Sequence, residues 1–273
     1  MIIDGHAHLG GEYRDLPAII KTLDATGTDM VVLCPADTPR DRPMPLPDPP
    51  VKVPGKELSW LVNRFLRQAT RSRGRQQHIE QGNREVYEIA TASGGRVIQF
   101  YWANLRQEHI ADDILSKISS WQIKGIKLHQ SCHPFRIKSP VFAEVTELAA
   151  TEGLPVFIHL HSKQDVEELV DFSGSVKTPL IVGHLIGLEI FISMKEKTSE
   201  NIFFDISCPP LISDERIYLA LKEFGPERVV MGSDTPYGRN NTRHIIERVN
   251  NLKISQKEKD MILGDNLKNI LRL

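Results

Sequence analysis

The sequence predicts an α/β fold, a closed (β/α)8 TIM barrel, and three observations carry that prediction. Short apolar runs of strand length recur eight times, helical segments with apolar residues at 3.6 spacing separate them, and polar side chains with metal-binding chemistry follow the ends of several runs. Strand alternating with helix implies a parallel sheet, and eight such units in about 250 residues is the size of a closed barrel. An open doubly wound sheet alternates in the same way. It would not bring groups from the first, fifth, sixth and eighth strands together, whereas a barrel does so at its C-terminal mouth.

The first strand lies near Ile2 in MIIDGHAHLG and runs into His6 and His8. Residues two apart on a strand face the same way, so both imidazoles point into one space and can grip one metal ion. Asp4 is placed to orient an imidazole from behind. The second strand is Met30 to Cys34. After it the rhythm breaks: Pro39 to Pro54 is too proline-rich for a helix, and helical segments follow around Lys56 to Arg71 and His78 to Ala92. This insertion, about residues 39–95, leaves the C-terminal end of a strand and is expected over the barrel mouth as a wall or lid within one domain of residues 1–273. Its Arg64, Arg67, Arg71, Arg73 and Arg75, with no acid among them, read as a solvated or oligomer-facing helix or as a contact to an anionic substrate. Leu58, Trp60, Leu61 and Phe65 supply a dimer interface or a pocket wall.

The third strand is Val97 to Ala103 and the fourth Ile123 to His129, where GIKLHQ sets Lys127 and His129 on one face by alternation. A helix from Val141 to Glu152 leads to the fifth strand, Val156 to His159, in LPVFIHLH. His161 follows two residues on and reads as a substrate contact at the rim or a spare surface imidazole. The next helix is Lys163 to Phe172, and the sixth strand, Leu180 to Val182, ends before His184. The seventh, Ile202 to Asp205, ends in an acid that orients neighbours rather than binding metal. A helix from Glu215 to Phe224 precedes the eighth strand, Val229 to Met231, and RVVMGSDTPYG places Asp234 just beyond it. Arg136, Lys138, Arg239 and Arg243 fall in loops of the same face, and cations at one rim favour a carboxylate-bearing substrate. His133 reads as a loop residue, and His78, His109 and His244 as solvent-facing helical residues.

Composition bounds the rest. The 273 residues are 40% hydrophobic, enough to bury a sizeable core, and no apolar run approaches the roughly 20 residues of a membrane span. Met1 leads directly into the first strand, so no signal peptide is expected. Three cysteines, Cys34, Cys132 and Cys208, cannot all pair and form no Cys-x-x-Cys, which suits a reducing cytoplasm. A formal net charge of −1 points to neither a nucleic-acid nor a membrane surface. The expected partner is a small molecule, and a homodimer is compatible.

With IDGHAHLG, GIKLHQ, PVFIHLH, IVGHLIG, NIFFDIS, VMGSDTPYG and the terminal ILGDNLKNILRL in this order, the chain resembles the amidohydrolase superfamily. The likeness is to its compact amidohydrolase-2-type branch, which also contains aromatic-acid decarboxylases. The resemblance implies a divalent metal held by His6, His8, His159 and Asp234, with zinc favoured over manganese or iron. In two-metal relatives the residue at His184 binds the second ion, and in one-metal relatives it meets nucleophile or substrate. A carbamylated Lys127 would bridge two ions, whereas an unmodified one would bind substrate carboxylate; the reading prefers one ion. Neutral imidazoles plus one carboxylate and an open position describe a catalytic rather than a structural site.

The function expected is metal-dependent hydrolysis of an amide, lactone or ester. Asp234 takes the proton of a metal-activated water and His184 stabilises the developing charge, while Lys127, His129, His161 and Arg239 contact the substrate. The alternatives are a metal-dependent decarboxylase of an unsaturated or aromatic acid and a non-catalytic metal-binding barrel.

Overall fold

The computed structural model describes residues 1–36, Trp60, Asn63 and 73–273. Eight strands pair in parallel in chain order: β1 (Ile3–His8), β2 (Met30–Cys34), β3 (Val97–Trp102), β4 (Gly125–His129), β5 (Val156–His159), β6 (Leu180–Val182), β7 (Ile202–Asp205) and β8 (Val229–Val230). The chain leaving β8 lies back along β1. There Gly5 N–H donates to the Met231 carbonyl at 3.0 Å, Asp234 N–H to the His6 carbonyl at 2.7 Å, and His8 N–H to the Thr235 carbonyl at 2.7 Å. The result is a nearly closed (β/α)8 barrel, as the alternation of runs and helices predicts.

Helices α1 (Leu16–Thr26), α2 (Arg73–Ala92), α3 (Ile110–Trp121), α4 (Pro140–Glu152), α5 (Lys163–Ser173), α6 (Leu188–Ser193), α7 (Asp214–Phe224) and α8 (Asn241–Asn251) connect or follow the strands. Their starts are written locally. Ser139 caps α4 by accepting from Phe142 N–H, with Pro140 next in line where its missing N–H costs nothing, and Ser162 closes a capping box with Asp165 on α5. Ser139 at α4, and Ser213 at α7 by accepting from Arg216 N–H, fix those helix starts one residue ahead of the apolar periodicity. Of the insertion, α2 begins at Arg73 rather than at His78. The proline-rich stretch, Arg64, Arg67, Arg71, Leu58, Leu61 and Phe65 lie outside the described residues, and so do the side chains of Arg73, Arg75 and His78.

Alternation along each strand sorts side chains into two layers. On β5, Val156 and Ile158 join the large cluster shared with the helices, whereas Phe157 joins Phe100, Ile181 and Val230 in the smaller cluster inside the barrel. Gly125 makes room for that inner layer, because a Cβ there would stand 2.4 Å from the Phe100 ring. Phe157 forms a floor below the mouth, its ring centroid 4.1 Å from that of His6. Polar residues therefore collect one layer higher, at the C-terminal ends of the strands.

Candidate active site

His6 and His8 project together from β1, their ring centroids 5.1 Å apart and edge to face. His8 Nδ1 lies 2.9 Å from the Pro35 carbonyl, which can only accept, so Nδ1 carries the proton and Nε2 keeps its lone pair. His6 and His184 are set by one serine. The Nδ1 atoms of both lie 3.0 Å from Ser207 Oγ, and Ser207 gives its own hydroxyl proton to Asp205. Both imidazoles thus donate through Nδ1 and hold Nε2 free of a proton. Burial, then the charge of Lys127, lowers His6 well below its ordinary range and holds His184 down at about 3, so both rings are neutral.

Asp205 accepts besides from His184 N–H at 3.1 Å and from Ser207 N–H at 3.1 Å. Burial pushes its carboxyl up to about 7 against these bonds. The backbone around this group is strained: His184, Leu185, Cys208 and Asp234, just past β6, β7 and β8, have φ of 58°, 50°, 62° and 55°. Left-handed non-glycine residues are uncommon, and their clustering at strand ends marks a functional mouth.

Among the described residues, two groups of donor atoms lie close enough to hold a metal ion, His6 with His8 and Asp234, and His6 with His184 and Asp205. The second is a hydrogen-bond relay, since its atoms are the Nδ1 nitrogens and carboxylate gathered around Ser207. The first fits a cation. Asp234 Oδ1 stands 3.8 Å from His6 Nε2 and 3.7 Å from His8 Nε2, near the roughly 3.4 Å separation of ligand atoms in a tetrahedral zinc site. Lys127, fully buried, places Nζ 2.7 Å from the same His6 Nε2 and 3.9 Å above the Phe157 ring.

The β3 to β5 side is built differently. Trp102 stacks on His129 at 5.5 Å and 6°, and His129 on His159 at 3.9 Å and 8°, making one pile of three rings with His129 in the middle. His129 Nδ1 accepts from Ser131 N–H at 3.2 Å, so its proton sits on Nε2. His159 Nε2 lies 2.6 Å from Asn63 Oδ1, and the Asn63 amide donates to the Leu160 carbonyl at 2.8 Å, which puts the proton of His159 on Nε2 as well. Burial lowers both far below the ordinary imidazole range, with Lys127's charge adding for His129 and the neighbouring His129 for His159.

The structure thus gathers His6, His8, Lys127, His129, His159, His184 and Asp234 at one mouth, with His159 outside both donor groups. His161 is half-buried at the rim, its Nδ1 3.0 Å from Ser131 Oγ. Arg239 is exposed, as are Arg136 and Lys138. Among the described residues Asp4 bonds no imidazole ring: it accepts from Ser233 N–H at 2.8 Å and Tyr13 Oη–H at 3.0 Å, and the register of β1 against β2 shifts between Asp4 and Ala7. His109 is exposed, His244 half-buried, and His133, a loop residue, is buried. Sequence reasoning missed Ser207 and Asn63. Alternation from Asp205 would have found Ser207; nothing local singles out Asn63.

A parallel barrel with histidine and carboxylate donor atoms gathered at its C-terminal mouth has the build of a barrel enzyme, and the sequence comparison narrows the class. A family profile described as Amidohydrolase (Amidohydro_2) matches residues 3–273, and the chain belongs to that family. The curated proteins contain no match to the sequence. Among solved structures, a 5-carboxyvanillate decarboxylase from Sphingomonas paucimobilis aligns with a TM-score of 0.70 at 13% identity, over 100% of this chain and 99% of that one. A 4-oxalomesaconate hydratase from Rhodopseudomonas palustris aligns at 0.66 and 13%, covering 100% and 96%. A dihydroxybenzoic acid decarboxylase from Polaromonas sp. JS666, with bound manganese and 2-nitroresorcinol, aligns at 0.68 and 14%, covering 100% and 97%. At such identities the likeness is one of fold.

Proposed function

We propose that this barrel is a metal-dependent decarboxylase of small, planar, unsaturated or aromatic carboxylic acids. The observation that carries the reading is the fully buried Lys127, whose Nζ lies 2.7 Å from His6 Nε2 in the donor set, since a second cation beside a metal site suits a carboxylate, with the ring stack of Trp102, His129 and His159 closing the adjoining side. His6, His8 and Asp234 would hold a divalent ion, zinc or manganese, which when bound supplies Lewis-acid attraction for a carboxylate. Lys127, displaced from His6, gives the carboxylate a second cationic partner in a water-poor site.

Decarboxylation breaks the bond between the ring carbon and the carboxyl carbon, releases carbon dioxide and needs one proton at the carbon left behind. His184 is placed to deliver it. Burial first and Lys127's charge second keep its Nε2 unprotonated without substrate, and the negative charge of an arriving substrate opposes the second of these and moves the ring toward protonation. Ser207 and Asp205 then carry the imidazolium's Nδ1–H. Trp102 and Phe157 exclude water from the carbon.

Hydrolysis of an amide, lactone or ester is the second reading, favoured by the same donor set with a position left for water and by Asp234 as base. Turnover of an aromatic-acid panel and a lactone panel in H2(18)O separates the two. Carbon dioxide released without (18)O in the organic product supports decarboxylation; (18)O in a ring-opened acid sinks it.

A further inference from the structure

His184 is held from the mouth side by the end of β7, where Ser207 takes its ring Nδ1 and Asp205 its backbone N–H. The turn that carries it is also held from behind. Arg216, in the first turn of α7, donates through Nη2 to the Leu185 carbonyl at 3.1 Å and to Glu189 Oε2 at 3.3 Å, while its Nη1 bonds Glu189 Oε1.

Three features set this contact apart from an ordinary surface ion pair. Burial is one-sided: the Arg216 side chain is 3% exposed and that of Glu189 52%, so the guanidinium is carried inward to the turn. The turn itself is strained, since His184 and Leu185 are consecutive non-glycine residues with φ of 58° and 50°, a conformation that persists only where the surroundings hold it. The arginine, finally, is fixed at both ends. Ser213 caps α7 by accepting from Arg216 N–H, and the planar fork meets a carboxylate and a carbonyl at once.

The peptide joining the two left-handed residues is therefore braced on both sides. Asp205 holds the peptide before it, and the peptide after it is held by Arg216 at the Leu185 carbonyl and by Gly183, whose carbonyl accepts from Ile186 N–H at 3.1 Å. Without the guanidinium, Leu185 is free to return toward the right-handed region, and the joining peptide turns with it. That rotation draws the His184 ring off Ser207.

We propose that Arg216, oriented by Glu189, is a positioning residue for His184, holding the turn after β6 in the arrangement that presents this ring to the mouth. The consequence for turnover rests on the carboxylic-acid reading above, in which His184 delivers the proton. The positioning itself does not.

The test is Arg216→Lys, which keeps the charge but cannot meet Leu185 and Glu189 as a fork, with Glu189→Gln as the milder companion. Ring (15)N resonances in zinc-loaded protein report which nitrogen of His184 carries its proton, and those of His129, on β4, are the control. In Arg216→Lys, His184 should lose its single Nδ1–H signature while His129 and the metal content stay as in wild type. Glu189→Gln should move His184 the same way and less. On an acid of the aromatic panel that is turned over, Arg216→Lys should lower kcat at least about tenfold with KM within about twofold.

Wild-type His184 resonances in both variants overturn the proposal. A shift of His184 and His129 together with loss of metal overturns it too, because that is general loosening. Should Arg216→Lys not fold, Glu189→Gln decides, its side chain being half exposed. If no acid is turned over, the carboxylic-acid reading falls, and the His184 resonances still decide the positioning.

Discussion

On the β1, β6, β7 and β8 side of the mouth, His6, His8 and His184 donate through Nδ1 to protein oxygen atoms and keep Nε2 as a lone pair. On the β4 and β5 side, His129 and His159 carry the proton on Nε2 and lie flat against one another. The same residue type thus offers unprotonated Nε2 atoms on one side and stacked Nε2–H donors on the other. What differs is the atom the fold offers to each ring: Pro35 and Ser207 oxygens present acceptors to Nδ1, whereas Ser131 presents a backbone N–H. The tautomer, and with it the chemistry, is set from outside the ring.

The strongest way to break this comparison is to remove one residue from each side. His8→Ala and Asp234→Ala should lose bound metal and at least a thousandfold of activity, while His159→Ala keeps its metal by elemental analysis. Loss of metal in His159→Ala would place that histidine among the ligands and require Asn63 to leave it. Next in size, Ser207→Ala removes the shared acceptor for His6 and His184, and metal affinity should fall about 10- to 100-fold in competition with a chelator.

A structural variant comes third. A Cβ at Gly232 would stand 2.8 Å from His6 Cβ and 2.9 Å from both His6 N and Asp205 Oδ1. Gly232→Ala should therefore cost roughly 1–3 kcal/mol in denaturant unfolding, with metal affinity falling alongside. If stability drops while metal binding is untouched, the ligand side is less tightly coupled to β8 than its contacts say.

Acidification of the metal-free protein gives a smaller, signed effect. His184 titrates at about 3 when folded against 6.5 unfolded, and His6, His129 and His159 are shifted the same way. Below pH 6.5 the unfolded chain binds protons that the folded one does not, so stability falls as pH drops from 6.5 toward 3, by up to about 1.4 kcal/mol per pH unit for each ring. Asp205, raised to about 7, and Asp4, raised to about 6, act oppositely, since the folded state binds their protons more tightly as pH falls. With His133, held down at about 4, five imidazoles outweigh two carboxyls, and urea midpoints should decrease from pH 7 to pH 5. Midpoints that rise would mean the imidazoles are charged in the folded state. Smallest of all, exposed Arg239→Ala should leave KM within twofold and stability within about 0.5 kcal/mol.

Much of the site was legible from alternation alone. His6 with His8, Lys127 with His129, and His159 all share inward faces because a strand has period two, and a parallel barrel must bring those faces to one end. Arg239 shows where that reasoning stops: a loop cation near a strand end can point either way, and this one points to solvent. Asp4 shows the same at a strand, where the carboxylate bonds Ser233 N–H and Tyr13 Oη–H rather than an imidazole ring, beside a register shift the sequence does not announce.

By itself the sequence determined the barrel, the order of its strands and which side chains reach the mouth, since these follow from local apolar period and chain connectivity. Only the tertiary structure decided which nitrogen of each histidine is available, because that depends on Pro35, Ser207, Ser131 and Asn63 meeting the rings across 27, 201, 2 and 96 residues of chain. Three of those four separations lie beyond any local pattern. A proton's place on a ring is fixed by a partner across the barrel, and sequence periodicity carries no record of it.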